Sequence, residues 1–244
     1  MRRIALFSDV HGNLPALDAV LGDIDARGVS EIYCLGDLVG YGPDPAGVIA
    51  RIRERGVPTV RGNYDDGVGS RRGSCGCYYA TEQAKADGAV SYAFTDAALS
   101  DDDHDWLAAL PDELRFEHEG MRVLLAHGSP RKINEYLLPD RTDEQLVRLA
   151  HAAGADVVCV GHVHVAYHRA ILDADGRAVH YVSSGSVGKP KDGDPRACWV
   201  ELVLGEGTDV AAGVHRVAYD VEAVARAMVD AGLPAAFAEA LRGG

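Results

Sequence analysis

Seven side chains that can bind a metal ion recur in this 244-residue chain at one kind of place, directly behind a short apolar run. Asp9 and His11 stand in Ser8-Asp9-Val10-His11-Gly12-Asn13, after Ile4–Phe7, and Asp37 stands in Gly36-Asp37-Leu38-Val39-Gly40, after the run that ends at Leu35. Asn63 follows the next run, in Arg61-Gly62-Asn63. His127 follows a later one, in Ala126-His127-Gly128, and His162 and His164 follow another, in Gly161-His162-Val163-His164. A glycine usually adjoins them and lets the backbone turn sharply. Ligands of open α/β sheets gather outside the carboxyl ends of the strands. Packing alone gives no reason for a carboxylate, an imidazole or an amide at each such end.

Two aspartates, four histidines and one asparagine form a mixed oxygen and nitrogen donor set. Thiolate is absent from it, unlike a structural zinc knuckle. Carboxylate with imidazole suits manganese, iron, zinc or nickel, and manganese is the first expectation. Seven donors are too many for one ion and suit two if a carboxylate bridges. Two ions about 3.5–4 Å apart clamp the attacking and leaving oxygens of a phosphoryl displacement and ionise a bound water near neutral pH. The chemistry expected is metal-dependent hydrolysis of a phosphate ester.

The elements that must position these residues alternate as in an α/β protein. Strands are expected at Ile4–Ser8, Glu31–Leu35 and Val57–Arg61, with helices at Leu14–Arg27 and Pro45–Arg55 between them. From Asp66 to about Pro111 the text becomes rich in Gly, Cys and Asp, with helices expected at Thr81–Ala93 and Asp102–Ala109. This stretch reads as an insertion on the core. A hairpin is expected from Glu113–His118 and Met121–Ala126, then a helix at Thr142–Ala153 with Thr142 and Gln145 as a capping box. Strands are expected at Asp156–Val160, Ala166–Leu172, Ala178–Val182 and Cys198–Leu204, before the segment Val214–Tyr219. Two Ala-rich helices, Asp220–Ala231 and Pro234–Leu241, close a single domain over residues 1–244.

Charge and cysteines narrow the class. With 37 acidic against 24 basic residues the net charge is −13, which argues against a general nucleic-acid or anionic-membrane binder. A small phosphorylated substrate remains compatible, because bound cations invert the local field. No apolar run approaches the roughly 20 residues of a membrane helix. The opening run reaches Ser8 and Asp9 too soon for a signal-peptide core. Cys34, Cys75, Cys77, Cys159 and Cys198 are odd in number and lack the rhythm of a secreted scaffold, so a cytoplasmic setting is expected.

Asp9-x-His11, Gly36-Asp37, Gly62-Asn63, Ala126-His127-Gly128 and Gly161-His162-x-His164 resemble, in order and spacing, the five motifs of the calcineurin-like metallophosphoesterase superfamily. The flanking Leu38-Val39-Gly40-Tyr41-Gly42-Pro43 and Ser129-Pro130 are similar to its small bacterial and archaeal phosphodiesterase branch. The resemblance spans about residues 1–200 and implies a two-sheet β-sandwich flanked by helices, with a dinuclear site at one edge. It implies one ion on Asp9, His11, Asp37 and His164, and another on Asp37, Asn63, His127 and His162, with Asp37 bridging. A bridging hydroxide would attack phosphorus, and Asn63 and His127 would help polarise the phosphoryl oxygens. The expected substrate is a phosphodiester or a nucleotide phosphoanhydride.

One position departs from that pattern. The family usually has a histidine after its third-motif asparagine, a group held to assist the leaving group, and here the residue is Tyr64. A phenol with an ordinary pKa near 10 is a poorer acid at neutral pH. Tyr64, His104 or Asp65 could take the role, or the leaving group could need little protonation. The same fold serves as a protein-binding scaffold in a subunit of the retromer coat, and Tyr64 is the feature that favours that alternative. Arg131 and Lys189 are expected as phosphate contacts, Lys132 beside Arg131 could do the same, and Asn134 and Tyr136 are weaker pocket candidates. Cys75-Gly76-Cys77 is expected to pack within the insertion, with a role beside the site as the alternative.

Overall fold

The computed structural model describes all 244 residues, Met1–Gly244. Successive residues of its first strand, β1 (Arg2–Phe7), serve two different cores. Ile4 and Leu6 face a cluster shared with Val123, Leu125, Val157, Cys159, Val182, Val200 and Leu202. Ala5 and Phe7 face the other way, into a cluster with Leu17, Val20, Ile49 and Trp199. A strand buried on both faces, alternating at every residue, belongs to the inside of a layered structure.

That structure has two mixed sheets. β1 lies with β2 (Glu31–Cys34), β8 (Ala197–Leu204) and β9 (Val210–Val217) in the order β2-β1-β8-β9. β1 and β2 are parallel, and β8 and β9 complete the sheet antiparallel. The second sheet has the order β3-β4-β5-β7-β6, from β3 (Glu113–His118), β4 (Met121–Ala126), β5 (Val157–Val160), β6 (Ala166–Leu172) and β7 (Ala178–Ser184). Its three middle strands are parallel and its two edges antiparallel. Helices α1 (Leu14–Ala26) and α2 (Pro45–Arg55) cover the first sheet. On the second, Leu124, Val158, Val160 and Tyr181 meet Leu146, Leu149 and Ala150 of α6 (Asp143–Ala153). The result is the expected two-sheet sandwich between helical layers.

Caps explain why these helices begin where they do. Asn13 accepts from Ala16 N and Asp44 from Gly47 N, with Pro15 and Pro45 in the first turns. The stretch after the third motif forms α3 (Asn63–Gly69), α4 (Glu82–Ala98) and α5 (Asp101–Ala108). Its Val68, Cys75, Tyr92 and Leu107 pack into the cluster that α1 and α2 use. The last helices, α7 (Val221–Asp230) and α8 (Ala235–Gly243), share their own cluster around Met228, Leu233 and Leu241.

Two local expectations are corrected, and one helix is added to them. Val57–Arg61 is not a strand: it lies beside β2 with a single bridge, Cys34 to Thr59. Pro58 accepts from Cys34 N but has no N–H to extend the ladder. Asn63–Gly69 is helical despite two glycines, with Asp65 and Asp66 in its first turn. Thr142 caps α6 by accepting from Gln145 N, but the side chain of Gln145 does not close the box. No helix is long and apolar enough to cross a membrane.

Candidate metal centre

The motif loops are tied to one another by their backbones. Asp9 N donates to Gly36 O at 2.9 Å, His11 N to Asp37 O at 3.0 Å and Gly161 N to His127 O at 2.9 Å. Such close approach needs glycine at Gly36, where φ is +89° and a Cβ would stand 2.5 Å from Gly62 N. Asp9, His11, Asp37, His162 and His164 all adopt positive φ, between 49° and 66°. Non-glycine residues in this region are uncommon and collect at functional sites, where the surroundings hold them.

These turns bring the donors together in two groups, Asp9 with His11 and His164, and Asp37 with His127 and His162. Within each group the donor atoms lie within 4.8 Å of one another, and all six residues are buried. Backbone carbonyls set three imidazoles: Nδ1 of His11 donates to Val39 O at 3.0 Å, that of His127 to Leu35 O at 2.7 Å, and that of His164 to Lys189 O. Each Nε2 is thereby left facing the centre, the usual arrangement around a bound metal. Asp37 Oδ2 lies 3.8 Å from His11 Nε2 and 3.4 Å from His127 Nε2, between the two groups. Asn63 Oδ1 lies 3.1 Å from His127 Nε2.

Two atoms test whether a metal fits. Asp9 Oδ1 and His162 Nε2 are buried and have no hydrogen-bond partner. A buried polar atom without a partner is costly, and both atoms belong to the donor groups. Asp9 Oδ2 is meanwhile held by His162 N at 2.9 Å and by the Ser8 hydroxyl, which aims Oδ1 at the centre. The residues present fit divalent metal ions.

The charges agree. Burial draws His11 and His162 down to about 3 and also lowers His164, so these imidazoles are neutral and ready to ligate. Burial opposes charge on His127 too, but Asp37 and Asp9 outweigh it and lift that imidazole to about 9. Despite burial, His164, His127 and His11 hold Asp9 below the ordinary carboxylate range, and His127 and His11 do the same for Asp37. His127 would have to be neutral to hold a metal in the second group, since a ligating imidazole binds without its proton.

The other expected residues are distributed unevenly. Tyr64 lines the small cleft over the donors with Tyr41, Tyr78, Tyr136, Cys77 and Lys191. Its ring lies 5.6 Å from that of His11, yet its hydroxyl is buried and meets no partner. Burial pushes that phenol well above 10, which makes it still poorer as an acid. Lys189 stands beside the cleft without lining it: its Nζ lies 4.6 Å over the ring of Tyr41, which does line it, and burial lowers it to about 8. Arg131 does not reach it; its fork is spent on Glu135 at 2.8 and 2.7 Å, beside a cleft that shares only His127 with the donor set. His104 bonds to Ser100 O and Asp96, inside the insertion. Asp65 accepts three backbone N–H groups and faces no substrate space. Lys132 lines the cleft beside Arg131, and Asn134 holds Gly76 O. Sequence reasoning missed Lys191, Tyr41 and Tyr78, which line the cleft with no local spacing to mark them.

Residues 1–204 match the calcineurin-like phosphoesterase superfamily domain. The chain is 30% identical over 243 residues to an uncharacterized protein of Methanocaldococcus jannaschii, covering 95% of this chain and 93% of that one. A metallophosphoesterase from Sphaerobacter thermophilus superposes with a TM-score of 0.77 at 29% identity, over 100% of this chain and 99% of the other. A hypothetical protein from Pyrococcus horikoshii gives 0.80 at 21% identity, over 99% and 98%, a likeness of fold. The chain belongs to the calcineurin-like phosphoesterase superfamily and is a metal-dependent phosphoesterase.

Proposed function

We propose that the chain hydrolyses a phosphodiester or a nucleotide phosphoanhydride at a centre of two manganese ions. Asp9, His11, Asp37 and His164 would hold one ion, and Asp37, Asn63, His127 and His162 the other. The observation that carries this reading is the place of Asp37 Oδ2 between His11 Nε2 and His127 Nε2, where one oxygen can serve both groups. When bound, two such ions supply Lewis-acid charge and an ionised water for attack on phosphorus.

The chain's own residues supply the rest. Asn63 and His127 orient the phosphoryl group, and Tyr64 walls the cleft without donating. Lys189 and Lys191 bring positive charge to the mouth, which suits a phosphate beyond the one being cleaved. Tyr78, 78% exposed at that mouth, and Tyr136, its ring tilted 30° to that of His162 at 4.1 Å, offer aromatic faces to a base. A plain monoester has no use for either feature. With no imidazole at position 64, a leaving group that needs little protonation fits best. Three of the five cysteines, Cys34, Cys159 and Cys198, are free and buried, which fits a cytoplasmic setting, and the short Cys75–Cys77 bridge is the exception.

The test is hydrolysis of a phosphate diester and a monoester side by side, by metal-stripped protein reconstituted with Mn²⁺. Mn-dependent turnover that favours the diester is expected. Stoichiometric Mn²⁺ binding with no turnover of either ester would refute the reading and favour a scaffold on this fold.

A further inference from the structure

The segment between α3 and α4 carries a disulfide, Cys75–Cys77, that stands against the metal centre. Asn63 Nδ2 donates to the Cys75 carbonyl oxygen at 3.1 Å and lies 3.2 Å from Cys77 Sγ. These contacts engage the amino side of the amide and so point Oδ1 towards His127 Nε2. The turn is itself anchored. Gly76 takes φ +64°, its carbonyl accepts from Asn134 Nδ2 at 3.0 Å, and the Tyr79 hydroxyl lies 3.3 Å from Cys75 Sγ. Cys77 also lines the cleft over the donors.

A bridge between residues only two apart closes too small a loop to constrain the unfolded chain much. Global stability is therefore a weak reason for it, and its contacts with a metal-binding amide are a stronger one. We propose that the Cys75-Gly76-Cys77 turn is a redox-controlled positioning element for Asn63. Closed, it holds the amide oxygen on the second ion; opened, it releases the amide. The inference rests on the dinuclear reading above. Opening consumes two electrons and two protons: a cellular dithiol becomes a disulfide as Cys75 and Cys77 become thiols.

The test uses the full chain purified in air, before and after a phosphine reductant, because a dithiol would itself bind metal. The phosphine becomes its oxide, with the oxygen drawn from water. Thiol titration of denatured protein should give three thiols before reduction and five after. Calorimetry with Mn²⁺ alone should show the second ion binding about 10–100-fold more weakly to the reduced chain, as for loss of a ligand's supporting contact. The double variant Cys75→Ala/Cys77→Ala should bind like the reduced protein and ignore the phosphine. If it fails to fold, Cys77→Ser, which cannot form the bridge, should likewise be indifferent to reductant. Five thiols before reduction, equal Mn²⁺ affinity in both forms, or an extra ion gained on reduction would each overturn the inference. A redox difference in Mn²⁺ affinity without ester hydrolysis in either form would support it and refute the proposed reaction alone.

Discussion

Asp65 offers a quantitative handle on how the centre is built. Its Oδ2 accepts from Asp37 N at 2.8 Å and Gly62 N at 2.9 Å, and its Oδ1 from Leu38 N at 2.9 Å, all within a fully buried site. One carboxylate thus clips the loop that carries Asp37 to the loop that carries Asn63. Asp65→Ala leaves three buried N–H groups without an acceptor, at about 1–3 kcal/mol each. Water entering the vacated space restores part of this, so a loss of about 3–5 kcal/mol is expected. At about 2–4 °C per kcal/mol for a chain of this size, Tm should fall by about 6–20 °C. The assay is thermal unfolding of metal-free protein in chelator, with Asp66→Ala as comparison. Asp66 pairs with the exposed Arg72 at 2.8 Å and faces Arg61 at 3.7 Å, and ion pairs open to solvent are worth about 0–1 kcal/mol each. Below the unfolding range, Asp65→Ala should also weaken Mn²⁺ binding by about 10–100-fold, because Asp37 loses its support. A Tm within about 2 °C of wild type, or a shift no larger than that of Asp66→Ala, would refute the reasoning.

Three further outcomes follow from named contacts. Tyr64→Phe removes a buried hydroxyl without a partner, so stability should hold or rise by about 1 kcal/mol and turnover should stay within about twofold; a fall of about 10²-fold or more would make Tyr64 the proton donor. Gly40→Ala should cost about 2–4 kcal/mol in urea unfolding, because φ is +89° and the new Cβ would overlap the Tyr64 ring; a neutral result would place that ring elsewhere. Glu135 is drawn from 4.5 down to about 2, chiefly by the hydrogen bond from Arg131. A depressed carboxylate stabilises fully above its free value and loses that contribution as pH falls towards its folded value. The stability gap between wild type and Glu135→Gln should therefore be full above pH 4.5 and close towards pH 2, as read by unfolding across that range.

The donor set was legible because its chemistry is written locally. Asp9, His11, Asp37, Asn63, His127, His162 and His164 each sit within a few residues of a strand end, and strand ends are visible as apolar runs. α2 was legible to the residue, because Asp44 caps it, Pro45 opens it and Gly56 stops it with φ 59°. What was hidden depends on distant contacts. α3 has the poor helix formers Gly67 and Gly69, and it forms because Tyr64 and Val68 are buried in the main core. Lys191, Tyr41 and Tyr78 come to the cleft from three separate loops, which no local spacing reveals. Arg131 was misplaced for the opposite reason, since its partner Glu135 stands four residues on in plain sight. The adjoining glycines marked sharp turns, but the left-handed backbone of Asp9, His11, Asp37, His162 and His164 themselves left no mark, because aspartate and histidine stand where glycine would have signalled it.

The proposed dinuclear centre stands or falls on the number of ions that one chain binds. Metal analysis of the dialysed, Mn²⁺-reconstituted protein should give two ions per chain. Asp37→Ala, which removes the one carboxylate placed between both groups, should retain fewer than one and lose diester hydrolysis with them. A single ion on the wild-type chain, or two ions kept by Asp37→Ala, would contradict the shared carboxylate and the chemistry derived from it.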